Sequence, residues 1–180
     1  MAESPELNPA DRPVSDLTPA TPRPRRRLPF LPERFFVGHT DGAGVVRDPF
    51  GRIVRRCRVV TDGVFDAPQS VVRFEEVFSY DDGQVDVWRW AMTAGVDGRY
   101  VAAEAKAGAG ITGVQRGDDH VLTFRRPTGR LAGLLAPRYR VRLTMLSADM
   151  ALERAAVSLL GLPLGVLTAI HRRVGQTAPQ

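Results

Sequence analysis

The chain has 180 residues, of which 43% are hydrophobic and 25% are charged. These values are typical of a soluble globular protein with a substantial core, and they exclude a wholly disordered chain. The formal net charge of +5 makes nucleic acid and anionic membranes partners to consider. Lys106 is the single lysine, and the arginines are scattered among acidic residues. This distribution favours a dispersed basic surface over a nucleic-acid interface.

Cysteine and histidine contents bear on metal sites and disulfides. Cys57 is the single cysteine, which excludes an intramolecular disulfide and a cysteine-rich zinc site. His39, His120 and His171 lie far apart in the sequence and form no local metal motif. We therefore predict no metal and no cofactor, although ligands from distant parts of the chain could still converge.

Residues 1–34 are rich in proline, with an arginine run at 23–27. Such a segment has too little apolar surface to offset the entropy of ordering it, so we predict a disordered tail. Neither a signal peptide nor a lipoprotein cysteine is evident. The apolar run 159–170 is too short to span a bilayer. The expected location is therefore cytoplasmic, with no transmembrane segment and at most weak contact with a membrane surface.

The stretch "FFVGHTDGAGVVRDPFGRIVRR" at residues 35–56 contains several glycines and could suggest a phosphate-binding loop. Gly38, Gly42 and Gly44 have the same parity, so a strand would place them on one face, where another backbone could approach closely. Asp48 to Gly51 fits a type I turn, and "RIVRRCRVV" (52–60) alternates like a returning strand. The stretch therefore predicts a β-hairpin, and the phosphate-loop interpretation fails because no helix follows.

Further segments with β-propensity follow, and aspartate- and glycine-containing turns separate several of them. This pattern is typical of an antiparallel all-β domain. The predicted strands are "SVVRFEEVFSY" (70–80), "QVDVWRWAMT" (84–93), "RYVAAEAKA" (99–107), "HVLTFRR" (120–126) and "RYRVRLTML" (138–146).

Two regions are ambiguous. Residues 127–138 form a long apolar connection, either a surface loop packed on the domain or a lid or membrane-touching tip. Residues 149–161 are helical on local grounds, because Asp149 can cap a helix that Gly161 would end.

Several motifs resemble a bacterial family known as domain-of-unknown-function family 3833 (DUF3833), many members of which look like envelope-anchored lipoproteins. The motifs that carry the resemblance are "FFVG…G" (35–44), "D..GR..RR..V" (48–59), "E.F.YDDG" (76–83), Trp88, Tyr100, "ERA" (153–155), Gly161 and Gly165. The resemblance covers most of residues 35–173.

The resemblance implies a lipocalin-like barrel of about ten strands over residues 35–173. It also implies that residues 149–155 form a strand, 156–161 at most one helical turn, and 163–173 the closing strand. We adopt this assignment over the local helix, with residues 174–180 as a flexible C-terminus. The family implies no activity, because a fold alone does not determine function.

Glu76 is the most informative polar residue of the predicted strands. It shares a face with Phe74, Phe78 and Tyr80, and an ionised carboxylate there needs a partner or a raised pKa. The simplest hypothesis is a structural ion pair with Arg55 or Arg56. The alternative is a polar anchor for a ligand, or an acid–base residue. Glu75 is adjacent and must point to the opposite face.

The leading functional hypothesis is non-enzymatic binding of a small apolar or amphipathic molecule inside the barrel. The alternatives are a cofactor-independent isomerase or lyase that uses Glu76, and a filled barrel that serves as an interaction module. No nucleophile motif is evident, so we predict no catalytic residue beyond that alternative. The predicted interior ligand-binding residues are Glu76, Phe74, Phe78, Tyr80, Trp88, Arg55 and Arg56.

Overall fold

Antiparallel strands close into a single barrel in the computed structural model, which describes residues 28–127 and 136–175. Each strand pairs with its neighbours in sequence, and the first pairs with the last, from His39–Val174 to Arg47–Val166. The ten strands of the described residues are β1 Gly38–Arg47, β2 Ile53–Asp66, β3 Val71–Tyr80, β4 Val85–Ala94, β5 Arg99–Glu104, β6 Gly108–Arg116, β7 Asp119–Arg125, β8 Arg138–Met145, β9 Met150–Leu159 and β10 Leu162–Val174. The predicted all-β, lipocalin-like fold is confirmed.

The predicted hairpin is formed by β1 and β2. The Gly51 N–H donates to the Asp48 carbonyl over 3.0 Å and closes the turn. Gly44 lies where β1 meets β10, and a Cβ there would come within 2.7 Å of the Ala169 Cβ. Gly42 is similarly crowded by the Ile170 carbonyl, whereas Gly38 has open space around it. Close backbone approach at the barrel closure therefore explains Gly42 and Gly44.

The segment that is helical on local grounds is β9. It pairs with β8 on one side and with β10 on the other, and its residues alternate between interior and exterior. The strand continues to Leu159, so the helical turn implied for 156–161 is absent, and a turn at Leu160–Gly161 follows. If this segment were a helix, β8 and β10 would each lack a partner strand, and their backbone N–H and C=O groups on that side would be unsatisfied. Strand pairing therefore outweighs the helix propensity of the alanines and leucines here.

Residues 28–36, the cap segment, close one end of the barrel. Phe30 and Phe36 are 0% and 1% exposed, and the Phe36 ring stacks on Phe74 at 4.1 Å. The segment contains the short helix α1, Pro32–Phe35. The Tyr100 hydroxyl donates to Glu33 over 3.0 Å and links α1 to β5.

The cap segment corrects the predicted domain boundary, since residues 28–34 were assigned to a disordered tail. They pack because three phenylalanines fill the end of the barrel. The rest of that tail, residues 1–27, lies outside the described residues. So do 128–135, the centre of the predicted loop, and 176–180, most of the predicted flexible C-terminus. Val174, also assigned to that C-terminus, ends β10. No helix in the described ranges is long and apolar enough to cross a bilayer.

His120 lies beneath the cap segment, at the start of β7. Its ring is 0% exposed, packs edge-on against Tyr100 at 4.7 Å, and lies 6.1 Å from the Phe30 ring. Neither ring nitrogen has a hydrogen-bond partner among the described residues. Burial lowers the pKa of His120 to about 4.

We expect His120 to make the protein less stable in mild acid. The unfolded chain takes up a proton near pH 6.5 and the folded chain only near pH 4, so stability is lost as the pH falls between these values. The loss from pH 7 to pH 5 should be about 2 kcal/mol of unfolding free energy. Urea denaturation of the wild type and of His120→Leu at both pH values measures the difference. An equal loss in both proteins would contradict the prediction.

Candidate functional site

A partly open cavity of about 320 Å³ occupies the barrel interior. Phe36 of the cap segment lines it at one end, and Tyr80 and Asp86 line it where β3 ends and β4 begins. Aromatic side chains contribute much of the wall and pack against one another, as in the stacked Trp88 and Trp90 rings at 6.1 Å. The aromatic lining residues are Phe36, Phe74, Phe78, Tyr80, Trp88, Trp90, Phe124 and Tyr139.

Six of the seven predicted interior residues line this cavity, and they are Arg55, Phe74, Glu76, Phe78, Tyr80 and Trp88. Arg56 is the exception. Its side chain is 70% exposed and lies 3.8 Å from the Asp81 carboxylate, so its assignment to the interior is wrong. The physical reason is the alternation of a strand, which sends adjacent residues to opposite faces.

Glu76 lies in the interior as predicted, but its partner is neither Arg55 nor Arg56. It is 7% exposed, and its carboxylate accepts a 2.9 Å hydrogen bond from the Trp90 indole N–H. Arg55 instead pairs with Asp82 at 2.8 Å and covers the Tyr80 ring at 3.8 Å. The predicted Glu76–arginine ion pair is therefore wrong, because Arg55 lies near the start of β2 and is held there by the turn after β3.

Glu76 belongs to a buried cluster with Glu153 of β9 and His171 of β10. The His171 Nε2 lies 2.8 Å from the Glu153 carboxylate, and one donor atom from each residue lies within 4.8 Å of the others. Burial and the negative charge of Glu153 raise the pKa of Glu76 to about 8. Burial alone would lower the pKa of His171, but its hydrogen bond to Glu153 and the nearby negative charges raise it.

Three buried polar atoms near this cluster have no hydrogen-bond partner among the described residues. They are Thr40 Oγ1, Thr61 Oγ1 and the second ring nitrogen of His171, Nδ1. Thr61 is directly opposite Glu76 across β2 and β3, and Thr40 is directly opposite Thr61 across β1 and β2. Both threonines are 0% exposed. Unsatisfied groups of this kind are uncommon in protein interiors unless water or a ligand is bound.

Comparison with protein families gives a match over residues 22–173 to a protein family of unknown function, DUF3833. The chain belongs to this family. No curated protein matches this DUF3833 chain significantly.

The barrel is similar to a solved structure, an S-type phycobiliprotein lyase from Guillardia theta, with a TM-score of 0.59. The sequences are 10% identical, and the match covers 78% of the DUF3833 chain and 89% of the lyase. At this identity the similarity supports a shared fold.

A second buried charge cluster of the DUF3833 barrel surrounds Arg126, just after β7. The guanidinium is 1% exposed, lies 3.6 Å over the Trp88 ring, and donates to Glu104 over 3.2 Å. It also donates to Asp86 over 3.3 Å and to the Val87 carbonyl over 3.1 Å. Because Trp88 and Asp86 line the cavity, Arg126 holds part of its wall in place.

Sequence reasoning missed Glu153, His171 and Arg126 as interior residues. Glu153 has the same parity as Ala151 and Ala155, so the strand predicted over 149–155 already implied that this carboxylate shares one face with two small apolar residues. His171 follows the same parity as Ala169 in β10. The sequence holds no signal that Glu76 meets these residues, since their proximity depends on barrel closure.

Proposed function

We propose that this protein binds a small apolar or amphipathic molecule inside its barrel. The observation that supports this proposal is the cavity of about 320 Å³, whose wall is mostly aromatic and aliphatic with a few polar groups. Ligand sites in proteins are typically pockets of about 300–1,000 Å³ with this composition. A cavity of this size also argues against a filled barrel that serves as an interaction module.

The arrangement of polar groups supports an amphipathic ligand. Glu76 and Glu153 lie deep in the cavity wall, while Arg55 and Asp86 lie where the lining strands begin. An apolar body would contact the Trp88 and Phe78 rings, and a polar group would reach one of these charged positions. The fold shared with a phycobiliprotein lyase is compatible with the proposal, because barrels of this size can hold one small ligand.

Solvent extraction of the native protein, followed by mass spectrometry, tests the proposal directly. A second measurement uses 8-anilinonaphthalene-1-sulfonate, an amphipathic aromatic probe that fluoresces in apolar sites. Ala155 lines the cavity, so Ala155→Phe should fill it and weaken probe binding by about tenfold or more. Ala156 is exposed on the same strand, and Ala156→Phe is the matched control.

Equal probe affinity in both folded variants would contradict binding inside the barrel, and circular dichroism verifies that each is folded. If the extracted molecule is converted to a new compound on incubation with the protein, the result favours the acid–base alternative that uses Glu76. If the extracted molecule stays unchanged on incubation with the protein, the result favours binding without catalysis.

A further inference from the structure

Three side chains with metal-binding atoms converge in the barrel interior from strands that are distant in sequence. Glu76 comes from β3, Glu153 from β9 and His171 from β10, and their donor atoms lie within 4.8 Å of one another. All three residues are buried, with 7%, 6% and 0% exposure. The closed barrel fixes their backbones, so the cluster is a preorganised set of two carboxylates and one imidazole.

The protein itself compensates this cluster incompletely. Among the described residues, the hydrogen bonds to these two carboxylates come from Trp90 Nε1 and His171 Nε2. Two carboxylates in a buried site repel each other when both are ionised, and burial strengthens that repulsion. Arg55, which lines the cavity, is already paired with Asp82. Arg126, which lies over the Trp88 ring, is already paired with Glu104 and Asp86.

The unpartnered atoms beside the cluster are an independent indication of a missing polar group. Thr61 Oγ1, opposite Glu76, and Thr40 Oγ1, opposite Thr61, lack partners among the described residues. Each hydroxyl oxygen can accept a hydrogen bond from a water molecule. A hydrated cation held by the cluster would bring such water molecules and would also offset the charges of the two carboxylates when both are ionised.

We propose that Glu76, Glu153 and His171 bind a divalent transition-metal cation, of which Zn²⁺ is the best-fitting example. Imidazole and carboxylate are both ligands of Zn²⁺, and three protein ligands leave a position for water. Bonds of about 2.0–2.2 Å require the donor atoms to be about 3.4 Å apart in a tetrahedral site. Binding therefore requires side-chain rotations that widen the 2.8 Å separation of His171 Nε2 and the Glu153 carboxylate and bring the Glu76 carboxylate to the same spacing. Because Glu76 and Glu153 line the cavity, the ion can enter through it and its open position faces the cavity.

Zinc titration of the chelator-stripped full-length protein, in competition with a chromophoric indicator, tests the proposal. We expect one Zn²⁺ per chain, and we expect Glu76→Gln and Glu153→Gln to weaken binding by about tenfold or more. Glu75→Gln is the matched control, because Glu75 is the exterior neighbour on the same strand and pairs with Arg89 at 2.6 Å. Absence of stoichiometric binding, or unchanged affinity in both interior variants, would overturn the proposal.

A measurement on the wild type keeps the test independent of variant folding. The chain has two tryptophans, and the Trp90 indole N–H donates directly to Glu76. One equivalent of Co²⁺ should therefore shift or broaden the Trp90 indole resonance strongly, with Trp88→Phe used to assign the two signals. The exposed pair His39–Asp62 is the competing surface site. Binding that is lost in His39→Gln, or that leaves the Trp90 resonance unchanged, refutes an interior site.

The cation proposal and the small-molecule proposal can fail separately. Zinc binding is measured without any organic probe, and probe binding is measured on the chelator-stripped protein without zinc. Wild-type protein that binds the probe but no Zn²⁺ refutes the cation proposal alone, whereas wild-type protein that binds Zn²⁺ but no probe refutes the small-molecule proposal alone.

Discussion

Replacing Phe30 by alanine is expected to lower the free energy of unfolding by about 3–5 kcal/mol. The Phe30 ring is 0% exposed and packs against Phe35 at 5.0 Å and Phe36 at 5.5 Å between ring centroids. Truncation leaves a cavity beneath the cap segment and weakens the packing above His120. Because the cap segment is joined to the barrel at one end, we expect it to detach before the strands separate.

Urea denaturation followed by circular dichroism measures this loss. Leu28→Ala is the control, since Leu28 belongs to the same segment but is 38% exposed and should change stability by less than about 1 kcal/mol. Faster amide hydrogen exchange in α1 of the Phe30 variant would show local detachment. A Phe30 variant as stable as the Leu28 variant would show that the cap segment contributes little to the fold.

The cap segment illustrates where composition misleads. Its prolines and the arginines before it predict a tail, yet "LPFLPERFF" at 28–36 places three phenylalanines where a barrel end needs closing. Proline at the first helical position is compatible with a helix start, as Pro32 in α1 shows. Short apolar clusters at the edge of a polar segment carry no periodicity, so pattern analysis overlooks them.

The strands were predictable because side chains alternate along them. The parity of Phe74, Glu76 and Phe78 placed all three inside, and the same rule placed Glu75 outside. The β9 strand shows the opposite case, because its alanines and leucines favour a helix locally and the pairing with β8 and β10 decides the outcome. The family resemblance supplied the correct strand assignment for most of residues 149–155, where local propensity did not, but the helical turn it allowed at 156–161 does not form.

The candidate site was predictable in part. A carboxylate in an apolar stripe must find a partner, and that argument correctly identified Glu76 as unusual. It could not identify Glu153 and His171, which come from strands about 80 and 95 residues further along the chain. Contacts across a barrel depend on the register of every intervening strand, and strand alternation alone does not fix that register.

The second large loss of stability is expected when Arg126 is replaced. Arg126→Met is expected to destabilise the protein by about 3–5 kcal/mol, because it leaves Glu104 as an uncompensated buried charge. The Glu104 side chain is 0% exposed, and beyond the guanidinium it accepts hydrogen bonds from the Lys106 and Ala107 N–H groups. Loss of the guanidinium also removes the cation that lies over Trp88.

Two variants separate the charge effect from the loss of packing. Arg125 is the exposed neighbour of Arg126 on β7, so Arg125→Met should change the free energy of unfolding by less than about 1 kcal/mol. Combining Arg126→Met with Glu104→Gln removes both members of the buried pair, and the double variant should be more stable than Arg126→Met alone. Chemical denaturation of these variants, of Glu104→Gln alone and of the wild type provides the comparison. If the double variant loses as much unfolding free energy as the two single variants together, Arg126 and Glu104 do not interact. Packing on Trp88 then accounts for the stability that Arg126 provides.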